Sequence, residues 1–284
     1  MQILETSGWE DYELIDSGNG RRLERFGKYI LSRPDPQAIW LPKVSVETWN
    51  RADAIFDEGW KTKTKIPDKW IVKYQNISLY LKLTPFKHTG IFPEQVSHWQ
   101  FIENKLKSLS QVSNLSVLNL FGYTGASSLV AAEAGAKVTH VDASRPAITW
   151  FRENQNLSGL MDKPIRIIVD DAIKFTAREI KRGIKYDGVI MDPPVYGHDP
   201  KGGIWDFNKD FPRLLENCSE ILSGSPLFVI VNAYAVSASA LMLENVMKDY
   251  FENLGGKIEV GELCLKEKVG GRLLSTGIFA RWSK

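Results

Sequence analysis

Cysteine is scarce in this chain: Cys218 and Cys264 are its two thiols in 284 residues, far apart and without a Cys-x-x-Cys spacing. That excludes a disulfide framework and a thiolate zinc site, and it fits a reducing compartment, so a cytoplasmic location is expected. Long apolar runs are missing too, since no stretch reaches the roughly 18 apolar residues of a membrane-spanning helix. The start, Met1-Gln2-Ile3-Leu4-Glu5, lacks the basic and then apolar run of a signal peptide. His88 and His98 have no partners at ligand spacing, so no metal site is expected. A net charge of +2 is too small to announce a nucleic-acid partner on its own. Against these absences stands a 43% hydrophobic fraction, ample for a real core. The length allows one large domain or a large and a small one. Nothing in it decides the oligomeric state, a homo-oligomer included.

The pattern changes near residue 88. Before it, short β-type runs dominate: Tyr12–Asp16 and Arg22–Leu31 flank the turn Ser17-Gly18-Asn19-Gly20, and Trp70–Tyr74 and Ser78–Leu83 flank Gln75-Asn76-Ile77. Val46–Phe56 reads as a helix between these two hairpins. The expected division is therefore a small α+β hairpin-helix-hairpin domain over 1–88 and a larger domain over 89–284. Between Gly59 and His88, Lys61, Lys63, Lys65, Lys69, Lys73, Lys82 and Lys87 are interleaved with Trp60, Trp70, Tyr74, Tyr80 and Phe86. Such a mixture suits an RNA backbone with stacked bases. It equally suits a lysine-protected strand edge.

After residue 90 strands and helices alternate. Ser116–Phe121, Lys137–Ala143, Ile165–Asp170, Tyr186–Met191 and Leu227–Tyr234 read as strands, each followed by a helical pattern: Ala126–Ala134, Arg145–Leu157, Ile173–Arg182, Phe207–Leu222 and Ala238–Phe251. Repeated βα units imply a parallel sheet covered on both faces. Lys257–Glu267 and Arg272–Trp282, joined at Gly270-Gly271, close it with an antiparallel hairpin.

Acceptor groups stand at the ends of these strands, where open α/β sheets bind ligands. The first βα turn, Asn119-Leu120-Phe121-Gly122-Tyr123-Thr124-Gly125, has glycines that let backbone approach a ligand. Strand two ends in Asp142-Ala143-Ser144, about 20 residues on, where a carboxylate can take both hydroxyls of a ribose. Strand three ends in Asp170-Asp171-Ala172, an acceptor for an adenine amine. Strand four ends in Asp192-Pro193-Pro194-Val195-Tyr196-Gly197. The prolines donate no N–H and stop the strand, leaving a carboxylate, free carbonyls and a ring together. That set suits a planar, amine-bearing group. Alone, each motif reads as well as a structural loop; in this order they describe a nucleoside-cofactor site.

Together the four stretches, with His88-Thr89-Gly90-Ile91-Phe92-Pro93-Glu94-Gln95 upstream, resemble the S-adenosylmethionine (SAM) dependent methyltransferases related to the large-subunit ribosomal RNA cytosine-C5 enzymes. The resemblance covers roughly residues 70 to 284. It implies a class I, Rossmann-like, seven-stranded α/β sheet with an antiparallel last strand. It also implies SAM as cofactor, held by Asn119, Phe121, Gly122, Tyr123, Thr124, Gly125, Asp142, Ala143, Ser144, Asp171, Ala172 and Asp192, with Phe92 and Gln95 from the lead-in segment. Asp192, Pro193 and Tyr196 are the expected catalytic residues.

Two departures bear on the acceptor. No counterpart of the ribosomal members' RNA-binding module is expected, because only about 90 residues precede the catalytic region. Cytosine C5 must first be activated by a thiolate at C6, yet the stretch after strand five, Val231-Asn232-Ala233-Tyr234-Ala235-Val236-Ser237, holds no cysteine. The expectation is therefore methyl transfer without a catalytic cysteine, to RNA or a nucleobase-like acceptor. Transfer to a protein or small molecule, and a non-catalytic RNA-binding role, are the alternatives; an NAD-dependent oxidoreductase is disfavoured by the missing third glycine. His198 or Asp199 reads as a base or as a solvated pair, and Trp205 with Phe207 as a glycine-hinged lid or as an anchor for the next helix.

Overall fold

A computed structural model describes residues 1–109, 111, 114–198, 203–234 and 238–284, and only the backbone of His198. The chain divides into two compact units. One contains Glu5–Ser97 together with Leu263–Thr276; the other contains Met1–Leu4, His98–Glu262 and Gly277–Lys284. Residues 263–276, placed by the sequence reading with the larger domain, thus group with the smaller unit.

After β1 (Gln2–Glu5), the smaller unit runs β2 (Tyr12–Gly18), β3 (Arg21–Phe26), β4 (Tyr29–Pro34), α1 (Val46–Trp49), β5 (Ala54–Phe56), β6 (Trp60–Thr62), β7 (Trp70–Tyr74) and β8 (Ile77–Leu81). β2 to β6 form a five-stranded sheet in chain order, and β7 with β8 a separate hairpin. The expected single strand Arg22–Leu31 is broken at Gly27, whose φ of +60° lets the chain reverse between the paired Phe26 and Tyr29. The helix expected over 46–56 is corrected to one turn. Its Ser45 cap makes no side-chain hydrogen bond and none of its residues is buried, so an isolated short helix gains little. Ala54 and Ile55 instead pair with Leu31 and Ser32. The unit is accordingly β-rich rather than α+β.

The larger unit holds α2 (Val96–Ser108, whose first two residues belong to the smaller unit), β9 (Ser116–Leu120), α3 (Ala126–Glu133), β10 (Lys137–Asp142), α4 (Arg145–Leu157), β11 (Ile165–Val169), α5 (Ala172–Arg182), β12 (Gly188–Met191), β13 (Tyr196–His198), β14 (Ile204–Asp206), α6 (Phe207–Glu220), β15 (Phe228–Ala233), α7 (Ala240–Phe251), and the parts of β16 (Lys257–Lys266) and β17 (Leu273–Ser283) outside 263–276. Its sheet has the order β1-β16-β17-β15-β12-β9-β10-β11. β9 to β12 and β15 are parallel neighbours, and β17 lies antiparallel beside β15. This is the Rossmann-like α/β methyltransferase topology, with the seven expected strands and β1 added at the edge. Every residue of β12 and β15 is buried, as a central parallel strand covered on both faces requires. On one face Ile102 and Leu106 of α2 and Ala131 and Ala132 of α3 pack on Val117, Ile190 and Ile230. On the other, α5, α6 and α7 pack Phe175, Phe211, Leu215 and Leu243 on Leu118, Val189 and Val229.

Candidate cofactor and acceptor site

Strand register sets the site. Leu120 pairs with Met191, and Met191 with Val231, so Phe121 and Asp192, the first residues after their strands, stand level with Asn232 of β15. Val141 pairs with Leu120, which adds Asp142 to the same row.

The turn after β9 is an unusual backbone. Phe121, Tyr123 and Gly125 have φ of 55°, 50° and 89°, so left-handed residues alternate with ordinary ones, a conformation that turns successive N–H groups toward one side. Two of these residues are not glycine, so the strain must be held by neighbours. Gly122 donates its N–H to Val141 O at 3.0 Å. Tyr123 donates its own to Asp142 Oδ2 at 2.8 Å. Asn154 Nδ2, on α4, donates to Thr124 O at 2.9 Å. The two glycines are packing requirements: a Cβ on Gly122 would sit 2.3 Å from the His140 ring, and one on Gly125 would sit 1.8 Å from Phe151.

Asp142 Oδ1 also accepts the Ser144 N–H at 2.7 Å. Burial pushes this carboxyl above the ordinary aspartate pKa, while the Ser144 and Tyr123 N–H groups pull against it. Each oxygen accepts one backbone N–H and keeps a further lone pair. Those free lone pairs suit a ribose diol, which brings two O–H donors. Ala143 is half-buried beside it, and Ser144 caps α4 by accepting the Ala147 N–H. Asp171 caps α5, accepting the Lys174 N–H on Oδ1 at 2.8 Å, which leaves Oδ2 for an amine. Ala172 is buried behind it. Asp170 is committed elsewhere, accepting the Asp171 N–H and pairing with Arg178. Asn119 is also buried, and its Nδ2 donates to Ser128 Oγ at 2.9 Å. Phe92 and Gln95 belong to the smaller unit, at the two ends of a 3-10 turn that begins at Pro93.

After β12, Asp192 is half-buried, Pro193 buried and Pro194 exposed. The chain is then pinned twice: Trp205 Nε1 donates to Pro194 O at 2.6 Å, and Phe207 N donates to Val195 O at 3.0 Å. The Trp205 ring lies 5.0 Å from that of Phe121. Trp205 and Phe207 are buried in the core, so they anchor the loop and are not a lid. Tyr196 is 66% exposed; Asp206 accepts its hydroxyl and raises its pKa. Asp199 and Gly202 lie outside the described residues, as do 235–237 of the stretch after strand five. Cys218 and Cys264 are buried, and burial pushes the Cys218 thiol far up. Among the described residues no group of three His, Cys, Asp or Glu could hold a metal, and no helix is long and apolar enough to cross a membrane.

The residues missed by sequence reasoning support the turn from below: Ser128, His140, Phe151 and Asn154. A histidine inside the apolar run Val138-Thr139-His140-Val141 was the available signal.

A glycine turn with a diol-ready acid on the next strand and an amine-ready acid on the one after defines a nucleoside-cofactor enzyme of the Rossmann-like class. Residues 16–252 match the S-adenosylmethionine-dependent methyltransferase family, and the chain belongs to it. A SAM-dependent methyltransferase from Agrobacterium tumefaciens has a crystal structure with TM-score 0.97 and 43% identity, covering 100% of this chain and 93% of its own. The crystal structure of SMU.776, complexed with SAH, shares the fold with TM-score 0.73 and 18% identity, covering 97% of this chain and 76% of that one. In sequence, the ribosomal RNA large subunit methyltransferase K/L of Shewanella frigidimarina is 27% identical over 213 residues, which is 73% of this chain. This chain spans 28% of the length of that relative.

Proposed function

We propose that this methyltransferase acts on a nitrogen of a nucleobase in RNA, and that Asp142, Asp171 and the Phe121–Gly125 turn hold SAM. One observation carries the acceptor reading: Asp192-Pro193-Pro194 ends a central strand in the row with Asp142, while both thiols of the chain lie buried. Bound SAM supplies an electrophilic methyl group. An exocyclic amine is a weak nucleophile because its lone pair is delocalised into the ring. Asp192 and the Pro193 carbonyl accept its N–H groups and hold the lone pair in the direction of attack, so the chain's contribution is positioning and charge stabilisation. Tyr196 offers an exposed ring for the acceptor to stack on. The absence of an accessible thiolate disfavours C5 chemistry.

The name of the Shewanella relative supports RNA as the acceptor class. So do Lys61, Lys63, Lys65, Lys69 and Lys73, all exposed. The aromatic half of that segment is less suited to bases, because Trp70 and Tyr74 are buried and it is Phe86 that is exposed. This favours a backbone-tracking role for the lysines, and it leaves a protein or small-molecule acceptor as the second reading. Incubation of the protein with methyl-labelled SAM and fractionated cell extract tests both. Label in the RNA fraction, with retention of that RNA falling steeply as salt rises, is expected; label confined to protein or small molecules overturns the RNA reading.

A further inference from the structure

Beneath the turn, three buried side chains form a directed chain. Asn119 Nδ2 donates to Ser128 Oγ at 2.9 Å, and Ser128 Oγ lies 2.9 Å from His140 Nδ1. An amide nitrogen only donates, so Ser128 oxygen accepts from Asn119; its own proton is free to go to His140, and when it does Nδ1 carries the lone pair and Nε2 the proton. Burial holds the imidazole neutral, with a pKa of about 3, although the Tyr123 backbone against the ring favours its protonation. The ring stacks on Phe151 at 4.0 Å with planes 8° apart, which fixes its orientation, and its Cε1 edge faces Gly122. Nε2 is buried and makes no hydrogen bond of full geometry. A buried donor of that kind is costly to leave unmet, and the backbone it faces belongs to the turn.

We propose that His140 is a positioning residue of the methyl-donor site: Asn119 and Ser128 lock it as the Nε2–H tautomer, and that N–H holds the left-handed turn from which Tyr123 reaches Asp142. The proposal rests on the reading of Asp142 and the turn as the part that holds SAM. It assigns Asn119 an indirect role, acting through the imidazole instead of touching the cofactor.

The test begins with the unmutated protein. Nitrogen-15 NMR of its histidines should show, for His140, a pyridine-type Nδ1 and a pyrrole-type Nε2 that do not change between about pH 5 and about pH 8. An Nδ1–H tautomer, or titration in that range, overturns the proposal. Ser128→Ala removes the lock with little change of volume. Calorimetry should then give SAM affinity about five- to tenfold weaker, with the loss appearing in KM for SAM and not in kcat. His140→Phe keeps the stack and should lose as much; His140→Gln, which restores an N–H, should recover part of it. Unchanged affinity in Ser128→Ala and in His140→Phe overturns the role of His140. Unchanged affinity in Asp142→Ala as well overturns the donor-site reading beneath it.

Discussion

The phenyl ring of Phe151 lies directly beneath Gly125, so close that a methyl group on that Cα would come within 1.8 Å of it. Gly125 is also left-handed, at φ +89°. Both facts forbid a side chain: α4 brings Phe151 against the turn, and β10 brings His140. Gly125→Ala combines a left-handed alanine with overpacking, each costing roughly 1–3 kcal/mol. Lower thermal stability by several degrees and loss of SAM binding are expected in calorimetry. An alanine variant with wild-type melting and affinity would mean that the turn is softer than this packing allows.

Much of this arrangement was legible beforehand because βα units punctuate themselves. Arg145–Leu157 is a helix as expected, since Ser144 and Pro146 mark its start and its apolar face is periodic. Asp142 and Asp192 could be placed because each ends an apolar run whose register with β9 is short and parallel. The smaller unit was harder to read. Ala54–Phe56 and Trp60–Thr62 are three-residue strands, whose pairing partners lie outside any local window. Asn119 reads as a ligand because it stands in the motif; the hydrogen bond of its Nδ2 to Ser128 comes from the packing of α3 and leaves no mark on spacing.

Asp142 takes two backbone N–H groups and has lone pairs to spare for a diol. Charged hydrogen bonds contribute roughly 1.5–3 kcal/mol each, so Asp142→Ala should weaken SAM at least about tenfold by calorimetry. Because Asp142 also tethers Tyr123, Asp142→Asn should lose affinity as well, through a weaker acceptor. Retained affinity in both variants would remove the ribose assignment.

Glu94 offers a pH test within the smaller unit. It is buried, and its Oε2 meets no hydrogen-bond donor. Burial raises its pKa to about 7, against the pull of Arg22 and Arg33 and with a push from Glu24. The folded pKa lies above the ordinary value of 4.5, so the native state holds a proton that the unfolded chain releases. The stabilisation is complete below pH 4.5 and is lost as pH rises through 7. Glu94→Gln removes the titration. Its thermal midpoint relative to wild type should therefore climb between about pH 5 and about pH 8. A constant difference across that range would show that Glu94 does not titrate there.

The chemistry turns on which side chains the methyl acceptor meets. Cys218 is packed in the core with Leu214 and Leu215, and Cys264 is buried in β16. Neither thiol is exposed to attack a base, so Cys218→Ala and Cys264→Ala should each retain methyl transfer, alanine being preferred to serine because a buried hydroxyl would need a partner. Asp192→Ala should behave in the opposite way, losing transfer while still binding SAM. An interaction made mainly in the transition state lowers the rate without a matching loss of cofactor affinity. Asp192 stands level with Asp142 in the strand register, so a modest fall in affinity is compatible with this role. A covalent adduct between either cysteine and a 5-fluorocytosine-substituted RNA is the outcome that would sink the nitrogen assignment, because it requires the thiolate attack that the buried thiols deny.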